Sequence, residues 1–535
     1  VLGGFAVLYD PAPGLVMSHY VLSMLILIAA VVLDWRARCR GWAAWRSSPG
    51  PATSSTGWTS RAPRRELPSE LVWLHATLAA VTRVAILRAV VALGEPEPAR
   101  AARLRAPAGH PRLRIVMFVY NTFRTDARVL KEAGTLAAGG HDVRVIAVWD
   151  ETMARAERRD GFRVTRIERD PPHYKVWRAV RRVRGALCRG TRTTTQGPRP
   201  VRTPLPSGNR HAWYGRLLLL VHKPLLYLDF YARAFRSVRT EPADAYHAHD
   251  LNTLPIAALL ARTTGGMLVY DSHELFTETS SISERERRVW RAVERRLIGR
   301  AEHIITVCDS IADELTSRYG VVTPTVVLNC PRRSDAPRAG RPTSLLRAKV
   351  GADLGTPIVL YQGGFLPHRG LETLIDAAMH IERATVVLMG WGRIEPALRE
   401  RISRRGVEDR VVITGPVPQA DLQGYTACAD LGVIPYHPVR LNNYYTTPNK
   451  LFEYMSAGVP IVASRLPELV RFVEDLDIGL TYHWADEHQL ADAINTLLSD
   501  EPRRQRLGST ARAASERYNW EREAVKLERI YEPAS

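Results

Sequence analysis

The run NNYYTTPNKLFEYMSAGVPIVAS (442–464) holds the residue types needed to grip a nucleotide. Thr447 suits the N-cap of a helix and Pro448 its first turn, so a helix is expected to open there. The backbone N–H groups of Asn449, Lys450 and Leu451 would then form an anion nest, with the Lys450 ammonium beside it. Glu453 follows one turn inside. A carboxylate there can accept two hydrogen bonds from vicinal hydroxyls such as those of a ribose; the alternative is an ordinary glutamate favoured near a helix start by the dipole. A diphosphate and a diol together describe a nucleoside diphosphate attached to something else.

Two glycine turns follow apolar runs and would face the same ligand. In YQGGFLPHRG (361–370), Gly363 and Gly364 let backbone come close, Arg369 adds a fixed positive charge, and a helix starts after Gly370. In MGWG (389–392), Gly390 and Gly392 could flank a base or ribose. Each turn taken singly also reads as a simple tight turn. On the other half of the chain, AYHAHD ends in His249, with His247 two residues earlier on the same face of the strand. We take His249 as the functional histidine and His247 as structural. Asp271, His273 and Glu274 end the next strand, and Asn121 follows the first one. These four form the acceptor-side set, with helix capping as the competing role of the acids. No DxD-like pair closes a strand, so no metal is expected on the diphosphate.

The elements that must position these residues alternate regularly. From Arg112 the sequence reads as strand (RIVMFV), helix (DARVLKEAGTLAAGG) and strand (DVRVIAVW), a βαβ rhythm. It is interrupted by a basic insertion rich in Pro and Gly at 175–215, then resumes with a helix near 217–238 and the strands AYHAH, MLVYD, HIITV and TPTVVLN. A Pro/Arg/Gly loop at 331–343 precedes a second set: PIVLYQG, ATVVLMG, VVITG and LGVIPY, again separated by helices. The fold class is therefore α/β, with two doubly wound Rossmann-like domains facing a central cleft and an N-terminal extension. The domains are 112–335 and 344–515. A last helix within 516–535 is expected to return to the first domain. Ligands of such sheets sit beyond the carboxyl ends of the strands, so the cleft is the expected site.

Composition sets the outer bounds. With 45% hydrophobic and 24% charged residues, a wholly disordered or collagen-like chain and a polytopic membrane protein are excluded. Five widely spaced cysteines with no CxxC argue against a disulfide framework or a structural zinc site, and for a reducing compartment. The formal charge of +19 is concentrated: residues 36–114 carry +10 and residues 175–240 carry +14, so the folded remainder is nearly neutral. Such patches attract anionic partners, and their mixture with runs such as GRLLLLVHKPLLYL favours an anionic membrane surface. No nucleic-acid reader motif is present, so nucleic acid is not expected as a partner. Gly14–Leu33 is uncharged, long enough to span a bilayer, and followed by Arg36, Arg38, Arg40 and Arg46. Residues 1–46 are therefore read as a membrane anchor with a basic flank, and 47–111 as linker and amphipathic helix. Localisation at the cytoplasmic face of the cell membrane follows.

Taken in order, these motifs resemble family 4 glycosyltransferases, retaining enzymes of GT-B fold, and a bacterial subgroup of them. KLFEYMSAGVPIVAS, YQGGF…RGLETLIDA, LMGWG and ITGPVPQADLQGYTACADLGVIPY are similar to the family's donor domain. NTFRTDARVLKEAGTLAAGGHDVRVIA, AYHAHDLNTL and VYDSHELFTE are similar to the subgroup's acceptor domain. The resemblance covers about 112–532. It implies a UDP- or GDP-sugar co-substrate, no other cofactor, a histidine at His249 touching the transferred sugar, and catalytic roles for Arg369 and Glu453. With the basic, apolar-flanked stretch at 175–240, the expectation is transfer to a membrane-linked or glycan acceptor in cell-surface glycan or glycolipid synthesis. Two positions depart from the family pattern: Tyr445 stands where many members carry a first glutamate, and Gly364 where they carry an arginine. Those departures keep two other readings open, a catalytically inactive nucleotide-sugar-binding protein and a sugar-nucleotide epimerase.

Overall fold

A computed structural model describes residues 112–171, 174, 212–333, 345–353 and 355–532. The anchor, the linker with its amphipathic helix, nearly all of the basic insertion and most of the 331–343 loop lie outside the described residues. Among the described residues no helix is long and apolar enough to cross a membrane.

The first domain is a sheet of eight strands: β1 (Arg114–Phe118), β2 (Asp142–Val148), β3 (Ala156–Arg159), β4 (Phe162–Ile167), β5 (Ala245–His249), β6 (Met267–Ser272), β7 (His303–Thr306) and β8 (Thr325–Val326). Their order is β3-β4-β2-β1-β5-β6-β7-β8, all parallel except the edge strand β3. The hairpin β3–β4 was not expected from the strand–helix alternation. Its signal is Asp160-Gly161, both at positive φ (46° and 85°), the pair a tight hairpin turn demands. The second domain is a six-stranded parallel sheet: β9 (Ile358–Gln362), β10 (Thr385–Met389), β11 (Val411–Ile413), β12 (Leu431–Ile434), β13 (Ile461–Ser464) and β14 (Gly479–Tyr482), in the order β11-β10-β9-β12-β13-β14.

Strand order decides where a ligand can sit. In each sheet the chain reverses its direction of winding beside the first strand, between β1 and β5 and between β9 and β12. The loops leaving those strands then diverge and open a crevice. The first reversal brings the turn after β1 beside His249; the second brings 363–370 beside Pro435 and Tyr436. Both faces of the central strands are covered: every residue of β5 and β9 is buried, including the polar His247, His249 and Gln362.

After the helix Glu501–Ser515 the chain runs back to the first domain. Helix Trp520–Ile530, capped by Asn519, buries Trp520, Ala524, Leu527 and Ile530 in the same apolar cluster as helix Ala127–Ala138 and β1. The Trp520 indole N–H donates to Thr135 Oγ1 at 2.9 Å, so the ring is docked by shape and by its one polar atom. Trp520→Ala is expected to destabilise the protein by about 3–5 kcal/mol, read as a lower urea midpoint. An unchanged midpoint would show that the terminal helix is not part of the cooperative core.

Candidate active site

On the second domain the helix Asn449–Ala457 starts one residue later than expected, with Pro448 as its cap. Thr447 does not cap it; its hydroxyl donates to Val307 O of the first domain at 3.2 Å. The three-amide nest is also incomplete. Leu451 N–H donates to Pro448 O at 2.9 Å, and the Leu451 side chain is fully buried in the core. Asn449 accepts from Asn329 Nδ2 at 2.9 Å, joining the two domains. What the helix start contributes is mainly the Lys450 side chain, which turns inward and is 5% exposed.

The Lys450 ammonium lies 3.5 Å from the Tyr361 ring centroid and 5.1 Å from that of Tyr436, and has no hydrogen-bond partner. Arg369 lies over the other tyrosine, 4.3 Å from the Tyr436 centroid. Two cations thus converge on one aromatic floor. Burial, and then the neighbouring Arg369, push the Lys450 pKa well below its usual value, with Glu453 pulling weakly the other way. A β-carbon at Gly363 (φ 122°) would sit 3.4 Å from Lys450 Nζ, so the ammonium lies directly against the first glycine turn. Glu453 does not point to solvent. It accepts from Gln362 Nε2 at 2.5 Å, and Gln362 in turn accepts from Thr426 Oγ1 at 2.8 Å. Burial raises the Glu453 pKa against that hydrogen bond.

The glycine turns pack on one another. A β-carbon at Gly390 would come 1.9 Å from Gly363 O, and one at Gly392 2.2 Å from Phe365 O. Their missing side chains therefore serve the fit of two loops. Gly364 is exposed, and its carbonyl accepts from Tyr361 OH at 3.1 Å.

On the first domain a cavity of 330 Å³ is lined by Asp126, Arg128, His273, Asn329, Thr447 and Asn449, among others, so both domains contribute to it. His273 is half-open to it. Burial opposes its charge, but Asp250 and Asp271 outweigh burial and hold it protonated, with a pKa of about 10. Glu274 is pushed up to about 7 by burial and by Asp250. It accepts from Asn442 Nδ2 at 3.0 Å, while Asn442 Oδ1 accepts from Leu275 N–H at 3.0 Å, a two-bond clasp between the domains. Asp271 is not an acceptor contact: it is fully buried and takes two 2.9 Å hydrogen bonds from Arg128. His249 is 2% exposed, with Nδ1 3.0 Å from His273 Nε2. Asn121 is committed to its own turn: it donates to Asp126 and accepts from Phe123 N–H, both at 2.8 Å.

A larger cavity of 620 Å³ lies elsewhere, between the helices Pro467–Val473 and Trp520–Ile530. Its Arg471 pairs with Asp309 and its Lys526 with Glu523, so much of its charge is already satisfied. Sequence reasoning missed Tyr361, Gln362, Tyr436 and Asn442. The first three stand at or just past the ends of β9 and β12, a position that could have singled them out; Asn442 carried no local sign.

Comparison with known proteins follows the same division. A family model described as "Glycosyl transferase 4-like domain" matches residues 188–331, and one described as "Glycosyl transferases group 1" matches residues 356–500. A D-inositol 3-phosphate glycosyltransferase of Xylanimonas cellulosilytica is 28% identical over 45% of this chain, and the match spans 59% of that relative's own length. An alpha-D-kanosaminyltransferase of Streptomyces kanamyceticus is 25% identical over 64% of this chain and 90% of its own. Among solved structures, sucrose-phosphate synthase from Thermosynechococcus elongatus superposes with a TM-score of 0.60 at 19% identity, covering 78% of this chain and 98% of its own. The Anabaena HepE protein in complex with UDP-glucose gives 0.57 at 18% identity, covering 78% and 99%. These likenesses show the GT-B fold.

The packing of the two glycine turns is directly testable. Gly390→Ala should displace the 363–365 turn, lowering stability by about 1–3 kcal/mol and weakening nucleotide binding together. Thermal melts and nucleotide titration of the same preparation would check this; unaltered values in both would show that the turns do not depend on each other.

Proposed function

Because the chain belongs to the family 4 glycosyltransferases of GT-B fold, we propose that it moves a hexose-like sugar from a UDP- or GDP-sugar, with retention of configuration, to a membrane-associated acceptor in cell-surface glycan or glycolipid synthesis. Action on a nucleotide sugar goes with the family; donor, stereochemistry and acceptor are this reading's own additions. The observation that carries it is the Lys450 ammonium, buried over Tyr361, beside Gly363 and Arg369, with no hydrogen-bond partner of its own.

Cleaving a sugar–phosphate bond leaves negative charge on the departing diphosphate. Two cations in a low-dielectric site stabilise that charge more than they would in water. Gly364 offers no side-chain charge, and Lys450 supplies the second cation from the start of the helix Asn449–Ala457. Glu453, steadied by Gln362, is positioned to hold the ribose hydroxyls. His249 and the protonated His273 belong to the opposite domain, where the sugar and acceptor would lie. The departing phosphate itself takes the acceptor proton, with the acceptor attacking from the same face. The membrane part of the reading is supported by the two basic stretches of the sequence. Support for UDP comes from the UDP-glucose held by the HepE protein of the same fold.

Tyr445 favours a second reading, an inactive nucleotide-sugar-binding protein. Where relatives carry a glutamate, it packs against the apolar cluster of the first domain, and its carbonyl accepts from Cys308 Sγ–H at 3.2 Å. Incubation with UDP-, GDP- and ADP-sugars separates the readings. Release of free nucleoside diphosphate is expected, isomerised donor would mark an epimerase, and binding without turnover would mark the inactive module.

Lys450→Ala should weaken nucleoside diphosphate binding roughly 10- to 100-fold, the worth of a charge-assisted contact of about 1.5–3 kcal/mol. Unchanged affinity would dispose of the compensating role. The depressed Lys450 pKa adds a sign. Binding of a diphosphate raises that pKa, so the protein takes up protons on binding. Affinity is then greatest below the free-state pKa and declines as pH rises through the bound-state value. Calorimetry in buffers of different ionisation enthalpy, above about pH 7 where a terminal phosphate is already ionised, should show proton uptake by the natural protein and none by Lys450→Met.

A further inference from the structure

Beneath the cleft, inside the first domain, four buried side chains turn one atom each toward a common point. They are Glu132 on the helix Ala127–Ala138, His247 and His249 on β5, and Asp271 on β6, and the four atoms lie within 4.8 Å of one another. Alternation along β5 puts both histidines on one face, and the register pairs His249 with Asp271. His247 Nε2 is 3.8 Å from Glu132 Oε2 and 3.9 Å from Asp271 Oδ2; His249 Nδ1 is 4.0 Å and 3.3 Å from the same two oxygens. Ligand atoms held at 2.0–2.2 Å around a tetrahedral ion stand about 3.3–3.5 Å apart, so the four histidine–carboxylate pairs are within about 0.7 Å of that geometry, while the widest separation in the cluster, up to 4.8 Å, must close by about 1.3 Å through side-chain rotation on binding.

The outward atoms of three of the four groups are engaged; of the inward atoms, Asp271 Oδ2 and His249 Nδ1 each lie 3.0 Å from His273 Nε2, while the other two have no hydrogen-bond partner. His247 Nδ1 is 2.7 Å from Tyr531 OH, Asp271 Oδ1 accepts from Arg128 at 2.9 Å, and Glu132 Oε1 is paired with Arg128 Nε at 2.9 Å. Glu132 Oε2 and His247 Nε2, each on a side chain with no solvent exposure, have no hydrogen-bond partner. An acid oxygen and an imidazole lone pair facing each other in a dry interior are costly unless a cation stands between them. Asp271 Oδ2 is also shared with Arg128 Nε at 2.9 Å and His273 Nε2 at 3.0 Å, making it the most heavily shared of the four atoms.

The geometry points to a buried, four-coordinate divalent metal site, of the zinc type, formed by Glu132, His247, His249 and Asp271. Two imidazoles and two carboxylates suit zinc or a neighbouring first-row ion. Arg128 and Tyr531 act as the outer shell that orients the ligands. The ion ties the helix Ala127–Ala138 to β5 and β6, and through Tyr531 to the end of the terminal helix. Its role is structural. No cysteine takes part, so cysteine spacing could not reveal it, and none of the four belongs to the donor loops, so the metal-free reading of the diphosphate site is unaffected.

The test is elemental analysis of the full chain, purified without an oligohistidine tag or chelator. About one equivalent of zinc per chain is expected. Stripping with dipicolinate should lower the melting temperature by several degrees, and added zinc should restore it. Cobalt substitution should give the visible bands of a tetrahedral ion. Glu132→Gln, which keeps the shape of the side chain, should lose most of the metal and most of the zinc-dependent shift. If that variant does not fold, the stoichiometry and cobalt spectrum of the natural protein decide. Less than about a tenth of an equivalent, with no thermal shift on adding zinc, overturns the site. So does a zinc shift of equal size in Glu132→Gln, or a variant more stable than the natural protein, which would show a proton on Glu132 in place of a metal.

Discussion

An ammonium group held out of water with nothing to hydrogen-bond is unstable on its own, and the donor half of this protein is arranged around one. Lys450 is tolerated where it stands because the faces of Tyr361 and Tyr436 receive it and because it is free to shed its proton. The arrangement leaves an electrostatic demand of the kind an anionic group would meet. It also explains the close packing nearby. Gly363, at φ 122°, holds a backbone conformation that side chains rarely adopt, with the ammonium against it, and Gly390 and Gly392 must lack side chains so that the turn carrying Gly363 can pack on theirs. Charge, aromatic floor and glycine turns form one unit.

The acceptor half solves a different problem with charge. Arg128 is buried with Asp271 and Glu132, and such an ion pair persists only with further hydrogen bonds around it. Asp271 meets that need by accepting from Arg128 and His273 at once, and burial fails to neutralise it because Arg128 and His273 outweigh the penalty. A chain of contacts then runs from the helix Ala127–Ala138 through β6 to His273 at the cleft. The histidine that lines the cavity is thus held by residues buried beneath it.

The two halves are joined by short polar contacts and by Leu441 and Tyr445 packed on the first domain's apolar cluster. Asn442 clasps Glu274 and Leu275, Thr447 reaches Val307, and Asn329 meets Asn449. Several of these come from the segment that also carries Lys450. The segment that holds the domains together thus also carries the cation.

Much of this was legible in the residues. Apolar runs ending in glycine or polar residues located most of the strands and put the candidate residues at their carboxyl ends. Those signals are local: strand and helix periodicity, and caps within a turn of a helix end. Even there, Thr447 misled, because a hydroxyl suited to capping was taken by the carbonyl of Val307 in the other domain. The partners of the charges were beyond reach. Arg128 and Asp271 are 143 positions apart, His247 and Tyr531 284. Whether Asp271 faces a ligand or an arginine, and whether Lys450 turns outward or onto Tyr361, depends on strand order and on which helix covers which face. The sequence alone determined the fold class and the neighbourhood of the donor. Tertiary structure alone decided which side chains face the cleft, because burial and long-range pairing, not residue type, set the energy of a charge.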